Sequence, residues 1–169
     1  MNEPFESSQK TTINENQGHK GPPKEWGSIV VGTDGSLGAA RAIDVASILA
    51  ADLNVDLWIA NVMDKISDAD LTSIARAENT SKGDVAEVIA RRLLADASRR
   101  SESNGAKKIH TVLLAGDSAD ALIAAARNVG ASAIFVGRRG AGGRISEALV
   151  GSVSQKLAGL SPVMLAVIP

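Results

Sequence analysis

The sequence has no cysteine and only two histidines. The absence of cysteine excludes disulfide bonds, thiolate metal sites and a cysteine nucleophile. Two histidines argue against a metal site built from imidazole ligands.

Two glycine-loop signatures of nucleotide-binding proteins are also missing. The chain has no Gly-x-x-x-x-Gly-Lys-Ser/Thr loop, and no acidic residue stands at the usual offset after a Gly-x-Gly-x-x-Gly turn, so neither a P-loop ATPase nor a dinucleotide-dependent dehydrogenase is expected.

The chain also lacks an excess of either charge. It contains 18 lysines and arginines against 19 acidic residues, which gives a formal net charge of -1. No overall field attracts nucleic acid or an anionic membrane, so we expect neither as a partner. The apolar runs are far shorter than the about 20 residues that span a bilayer, and the N-terminus lacks the basic-then-apolar plan of a signal peptide. We therefore expect a cytoplasmic protein.

The length of 169 residues, with 44% hydrophobic residues, suits one globular domain and a tail. Residues 1–26 are polar and include Pro22-Pro23, and this segment cannot bury enough apolar surface to order itself. We predict a disordered leader over residues 1–26 and a single domain over residues 27–169.

Within the domain, short apolar runs alternate with segments of helical periodicity. The resulting order, β-α-β-α-β-α-β-α-β, predicts a parallel sheet covered by helices on both faces. The predicted strands cover residues 29–31, 55–62, 109–115, 133–136 and 162–168. The predicted helices follow Ser36 to about residue 53 and cover residues 84–103, 118–128 and 152–157, with a short one at 71–78. In the second strand and the longest helix, the side chains expected to face inward are Trp58, Val85, Val88, Ile89, Leu93 and Ala97.

The most informative segment is the glycine-rich stretch at residues 137–143, which is followed by Gly151-Ser152-Val153-Ser154. Glycines let backbone N–H groups approach an anion, and a Gly-Ser step that opens a helix presents unpaired amides at the positive end of the helix dipole. The pattern indicates a cradle for the phosphates of a nucleotide. Glycine-rich loops also serve as plain turns, so the rest of the chain must support this interpretation.

Four motifs together closely resemble the universal stress protein family. They are residues 29–36 (Ile-Val-Val-Gly-Thr-Asp-Gly-Ser), residues 60–64 (Ala-Asn-Val-Met-Asp), Gly116-Asp117 before a helix, and Val136-Gly137-x-x-Gly140 followed by Gly151-Ser152. The resemblance implies an open, Rossmann-like α/β fold with five parallel strands in the order 3-2-1-4-5. It also implies adenine-nucleotide binding, with ATP (or ADP or AMP) and Mg²⁺. The family's ATP-binding members have nine residues between the second and third glycines of the last motif, whereas this chain has ten.

The order 3-2-1-4-5 places strands 1 and 4 side by side, with their helices leaving on opposite faces. Ligands of open α/β sheets bind at such a switch point, so the turns at Asp34 and Gly137 should converge on one crevice. By resemblance, six residues line the adenine and ribose: Gly32, Thr33, Asp34, Val62, Val136 and Gly137. Six others bind the phosphates: Arg139, Gly140, Gly151, Ser152, Val153 and Ser154. Asp34 can also help to hold a magnesium ion through water.

Several of these residues also have a purely structural interpretation. Ser36 or Asp34 could cap the first helix, and Ser152 or Ser154 the last one. Arg138, Arg139 and Arg144 suit a polyphosphate but could be solvated charges. His110 alternates with apolar neighbours in a strand, and we interpret it as structural or solvent-facing.

Asp34 is the only carboxylate that the motifs place at the crevice, and a lone acid supplies no acid/base pair for efficient hydrolysis. We therefore predict a stress-response regulator whose ATP state biases a conformation or a partner contact. The alternatives are an ATP-independent dimeric interaction module of the same family and a slow ATP hydrolase.

The final apolar run predicts a homodimer. Residues 163–168, from Val163 onward, carry no charge, and in the order 3-2-1-4-5 they form an edge strand. An uncovered apolar edge invites pairing, and a twofold axis lets the same strand pair with its own copy. The resemblance implies the same contact, and an unknown protein partner is a further expectation.

Overall fold

The computed structural model describes residues 25–63, 75–76, 81–140 and 150–169. Most of the predicted leader lies outside the described residues, as does Arg144. Of the predicted short helix at 71–78, only Ala75 and Arg76 are described, and both are helical.

Five strands and four helices alternate along the described chain. The strands are β1 (Ile29–Gly32), β2 (Leu57–Met63), β3 (Ile109–Ala115), β4 (Ala133–Gly137) and β5 (Met164–Ile168). The helices are α1 (Leu37–Leu53), α2 (Lys82–Ser103), α3 (Ser118–Asn128) and α4 (Ser152–Leu160).

The helix starts follow local capping chemistry. The side chains of Ser36, Ser81 and Asp117 accept hydrogen bonds from backbone N–H groups in the first turns of α1, α2 and α3. The fourth helix differs, because its N-cap is Gly151 and no side chain caps it. The first backbone N–H groups of α4 therefore lack the side-chain acceptor that caps each of the other three helices.

All strand pairs are parallel, and the sheet order is β3-β2-β1-β4-β5. This confirms the predicted five-stranded α/β fold. Parallel strands are joined by crossover connections, so each strand except β5 is followed by a helix that packs on the sheet. The helices α1 and α2 cover one face, and α3 and α4 cover the other.

Each face of the sheet carries its own core cluster. One cluster joins the sheet to α1 and α2, with Ile43 and Leu94 among its buried members, and Trp26 packs against it. The other joins the sheet to α3 and α4 through Leu122 and Leu157. Among the helices that the structure describes, none combines the length and the apolar character needed to cross a membrane.

The prediction that Val88 faces the core is wrong, because its side chain is 65% exposed. The stripe of α2 that packs on the sheet is formed by Ala90, Leu94 and Ala97. Val85 instead packs against Ala75 in a separate small cluster near the start of the helix. The first turns of α2 thus pack against the segment that contains Ala75, whereas the rest of the helix packs on the sheet. A single apolar stripe along the helix does not fit both contacts.

The side chain of Trp58 is half-buried rather than enclosed. It stacks on the imidazole of His110 with ring centroids 4.4 Å apart, and His110 Nε2 lies 2.7 Å from Asp56 Oδ1. The stack sits at the amino end of β3, where His110 is exposed. The structural interpretation of His110 therefore agrees with the geometry.

Candidate functional site

The candidate site lies where β1 and β4 end side by side. The chain leaving β1 forms α1, which packs on one face of the sheet, while α4, the next described helix after β4, packs on the other. The two connections therefore diverge and open a crevice at the carboxyl ends of the strands. The structure brings the predicted switch point together as the sequence implied.

The β1 side of the crevice is held to β2 by hydrogen bonds beyond the strand pairing. The N–H of Thr33 donates to the carbonyl of Ala60 at 2.8 Å, and its own carbonyl accepts from Asn61 Nδ2 at 2.7 Å. Both Thr33 and Asn61 are buried. Sequence reasoning gave no role to Asn61, although an amide within an otherwise apolar strand is a signal that a buried backbone group needs a partner.

The carboxylate of Asp34 lies at the mouth of the crevice. Its Oδ1 accepts a hydrogen bond from the N–H of Ser36 at 3.0 Å, and the side chain is exposed. A Cβ added to Gly140 would collide with Asp34 Oδ2. Gly140 is thus close to the β1 turn although the two positions are far apart in sequence.

The first helix touches the β4 loop at its own N-terminus. Ser36 Oγ accepts from the N–H of Ala39 at 3.1 Å, so Ser36 does cap α1, and it also donates to the carbonyl of Arg139 at 3.4 Å. A Cβ on Gly137 would come within 2.5 Å of the backbone of Gly38. Gly137 is therefore needed for close packing of backbone on backbone.

The last helix is fastened to the same loop. The N–H of Gly151 donates to the carbonyl of Arg138 at 2.8 Å, and Ser154 Oγ donates to the carbonyl of Gly137 at 2.9 Å. Ser154 is 2% exposed. These two donors serve the loop itself. The backbone N–H groups of Ser152, Val153 and Ser154 in the first turn have no intrahelical acceptor, so they are the groups available to an anion.

The loop also carries two cations. The side chains of Arg138 and Arg139 are exposed, and neither has an acidic partner among the described residues. Two arginines on the loop that holds the uncapped start of α4 add positive charge to this region, and the Asp34 carboxylate adds a negative one. In the part of the chain that the structure describes, no group of three His, Asp or Glu side chains could hold a metal ion.

Three further predicted site residues lie deeper. Gly32 packs closely under Leu122, Val136 is 5% exposed, and Val62 is half-buried on β2 against the α3-side core cluster. All three lie near the carboxyl ends of their strands, at the same end of the sheet as the crevice. Two shallow cavities of the described structure, of about 220 Å³ and 290 Å³, are elsewhere, one at the amino end of the sheet and one beside β3.

Comparison with known proteins gives consistent matches. The family model described as "Universal stress protein family" matches residues 25–169. A solved universal stress protein in complex with cAMP is 28% identical, with a TM-score of 0.61 over 85% of this chain and 97% of that one. A family member from Burkholderia pseudomallei is also 28% identical, with a TM-score of 0.58 over 88% and 99%. An Archaeoglobus fulgidus protein in complex with dAMP shares the fold at 20% identity, with a TM-score of 0.61 over 85% and 98%.

A search of curated proteins gave no match. The family model covers the described part of the chain, and the solved family members share its fold. The chain belongs to the universal stress protein family.

Proposed function

We propose that this protein binds an adenine nucleotide, ATP or its products ADP or AMP, at the crevice between β1 and β4. One observation carries the proposal. The Gly137–Gly140 loop, the uncapped start of α4 and the Asp34 turn are fastened to one another by hydrogen bonds and close backbone contacts. Segments that are distant in sequence thus bring the uncapped amides of α4 to a loop whose two arginines have no acidic partner among the described residues.

The base and the ribose would occupy the inner part of the crevice. Thr33 and Asp34 would contact adenine and ribose, and the Asp34 carboxylate would accept hydrogen bonds from ribose hydroxyls. Gly32, Val62, Val136 and Gly137 would line this part. The 28% identical family member in complex with cAMP supports an adenine ligand of this kind.

The phosphates would lie at the mouth. The amides of Ser152 and Val153 would bind phosphate oxygens at the positive end of α4, and Arg139 would supply charge-assisted hydrogen bonds. Gly140 and Gly151 would provide room for the approach. Mg²⁺ would bind through phosphate oxygens and water, with Asp34 in its outer shell, since hard cations prefer such oxygen ligands.

The role would be regulation in the cytoplasm rather than catalytic turnover. Asp34 is the only acidic residue that the described loop contacts place at the crevice mouth, and an acid/base pair for hydrolysis would need a second group. A bound nucleotide would instead fix the relative positions of α4 and the β4 loop, and with them a surface read by a partner.

One observation favours a second candidate, an ATP-independent interaction module. The N–H of Gly151 and the hydroxyl of Ser154 already bond to carbonyls of the loop, which removes two donors from a phosphate site. If the ten-residue spacer keeps these bonds closed in solution, the family fold would serve as a dimeric scaffold alone.

Mass spectrometry of small molecules released by heating the freshly purified full chain tests the proposal. We expect stoichiometric ATP, ADP or AMP. The matched control is the Arg139→Ala, Ser152→Pro double variant, which should retain far less nucleotide, because it removes one cation and one open amide at the first helical position, where proline is tolerated. Absence of any nucleotide from the wild-type preparation, together with no binding on adding ATP, would favour the ATP-independent module.

A further inference from the structure

The outer edge of β3 is an unused pairing surface in the described structure. β3 ends the sheet, and it pairs with β2 through all seven residues from Ile109 to Ala115. The N–H of Leu57 donates to the carbonyl of Lys108, which shows that Lys108 faces β2. Because backbone groups alternate along a strand, those of Ile109, Thr111 and Leu113 point outward.

Within its own residues, this edge lacks features that usually block strand pairing. Between Thr111 and Ala115 it contains no proline, no charge and no break in its register. Natural edge strands are commonly protected by such features, so a long regular edge without them is a template for another strand. The lysines that could protect it, Lys107 and Lys108, precede the strand.

A groove runs beside the edge on the α2 side. It has a volume of about 290 Å³ and is lined by Arg91, Leu94, Ala95, Ser98 and Thr111. Small side chains on α2 leave the groove open, and Arg91 is the only charged residue among the described residues that line it. Arg91 pairs with Glu87, but both side chains are largely exposed, at 70% and 46%. An exposed pair of this kind exchanges partners at little cost.

The opposite face of the edge is apolar. Val112 and Leu114 are half-buried there and pack at the margin of the α3-side core, beside the Trp58–His110 stack. A strand added to β3 would therefore place alternate side chains in two different surroundings. One set would face Arg91 and Thr111, and the other would cover Val112 and Leu114.

We propose that the β3 edge binds an extended peptide segment of a partner protein by strand addition, with an acidic side chain opposite Arg91 and apolar β-branched side chains on the other face. Main-chain hydrogen bonds to Ile109, Thr111 and Leu113 would give affinity, and the groove would give selectivity. A second copy of β3 fits less well, because residues 109–115 contain no carboxylate to meet Arg91.

A labelled peptide tests the proposal directly. The probe is acetyl-Val-Thr-Val-Glu-Val-Thr-Val with a Gly-Ser tail that carries fluorescein. The comparison peptide is identical except that lysine replaces the glutamate. Fluorescence polarisation with the full-length protein should show binding of the glutamate peptide about tenfold tighter than that of the lysine peptide, a difference typical of one charge-assisted contact. Equal affinities, or no binding at millimolar protein, would overturn the proposal.

Two substitutions locate the site. Thr111→Pro removes an outward N–H without touching the bonds to β2, so binding should weaken at least about tenfold, whereas Thr111→Val, which keeps the N–H, should stay within about twofold. Arg91→Glu should reverse the peptide preference, and Arg127→Glu on α3 should not. If Thr111→Pro fails to fold, the Arg91 reversal decides, and an unchanged preference in Arg91→Glu would overturn the proposal.

Amide hydrogen exchange on the wild-type full chain supplies an independent readout. Without peptide, the amides of Ile109, Thr111 and Leu113 should exchange faster than those of His110 and Val112, and the peptide should slow them at least about tenfold. Slow exchange of the outward amides before peptide is added would mean that the chain covers this edge itself, and the proposal would be wrong.

Discussion

At the residue scale, the two glycines of the β4 loop meet different neighbours. Gly137 lies against the backbone of Gly38, so a side chain there would push α1 away from the sheet. Gly140 lies against the carboxylate of Asp34, which is exposed and can move. Substitution at Gly137 therefore threatens the fold, whereas substitution at Gly140 acts on the proposed ligand site.

We predict that Gly140→Ala abolishes the nucleotide-dependent rise in melting temperature while the protein without nucleotide stays folded. The added methyl group displaces Asp34 and narrows the phosphate approach. Differential scanning fluorimetry with and without ATP measures the effect. Gly159→Ala in α4 is the matched control, because a Cβ there meets nothing within 4 Å and the nucleotide response should persist. Normal ATP binding by Gly140→Ala would show that the phosphate assignment is wrong.

Asp34→Ala should weaken nucleotide binding more gently, by about 1 to 3 kcal/mol, because it removes hydrogen bonds to ribose or to metal-bound water. Isothermal titration calorimetry gives the difference directly. The substitution also removes the acceptor for the N–H of Ser36, so the melting temperature of the unliganded variant is the internal control. Unchanged affinity would remove Asp34 from the site.

Local residue roles could be predicted from the sequence, and distant partners could not. The caps at Ser36 and Asp117 depend on backbone groups two or three residues away. Ser36 was one of the two caps predicted for the first helix, and Asp117 stands directly before the predicted third helix. Ser154 bonds to Gly137 and Asn61 bonds to Thr33, pairs that only the folded sheet brings together. Their local sequence therefore contains no information about the partner.

At the element scale, α1 and α2 are joined by a polar clamp above the core. Arg100 donates two hydrogen bonds of 2.6 Å to the Asp44 carboxylate, and Asn104 donates a third at 2.8 Å. Below them, the buried hydroxyls of Ser47 and Ser101 bond to each other at 2.9 Å. The clamp fixes the two helices that cover one face of the sheet.

Asp44→Asn should lower the melting temperature at pH 7 by about 1 to 4 °C, the range for a partly exposed ion pair in a domain of this size. The hydrogen bond from Arg100 holds the pKa of Asp44 below its usual value, and Asn104 contributes in the same direction. A depressed pKa stabilises the fold above the unfolded pKa of about 4, and this contribution is lost as pH falls through the folded pKa.

The difference between Asp44→Asn and the wild type should therefore shrink below about pH 4. Melting curves from pH 7 to pH 2.5 test this, with Asp52→Asn as control, since Asp52 on the same helix has no partner among the described residues. A difference that stays constant across this range would exclude the ion pair as its cause.

Some element boundaries were predicted correctly, and others were wrong by two or three residues. β3 and α3 have the predicted bounds, 109–115 and 118–128. The last helix continues to Leu160, three residues beyond the predicted end, and β5 begins at Met164 rather than at Pro162. Pro162 lacks the N–H needed for pairing, while the N–H of Met164 bonds to Ser132.

At the scale of the whole molecule, the apolar edge strand β5 is the proposed dimer contact. The N–H of Met164 faces β4, so the backbone groups of Leu165 and Val167 point away from the sheet. Met164 is 48% exposed, and the rest of β5 is half-buried, from Leu165 to Ile168. Twofold pairing of β5 would satisfy both the backbone and this surface.

Val167→Pro should give a monomer, because it removes an outward N–H at the centre of that contact while the bonds to β4 remain. Val167→Ala loses similar packing but keeps the N–H, so it should remain dimeric. Size-exclusion chromatography with light scattering at tens of micromolar distinguishes the two. A wild-type protein that is monomeric at this concentration would rule the dimer out.

The topology itself was predictable because several signals agree. Buried strands separated by helices require parallel pairing, and the Gly-Thr-Asp-Gly and Gly-x-x-Gly turns mark the two strand ends that meet. What the sequence could not provide was the way in which α4 closes on the β4 loop, because those bonds depend on how the chain returns to the sheet after residue 140.

The central claim is that the crevice between β1 and β4 binds an adenine nucleotide, and the melting temperature of the full chain with ATP and Mg²⁺ tests it most directly. At about one hundred times the dissociation constant, ATP should raise the free energy of unfolding by about 2.7 kcal/mol. For a domain of this size the melting temperature should rise by about 5 to 10 °C. A melting curve that does not move at millimolar ATP would contradict the claim.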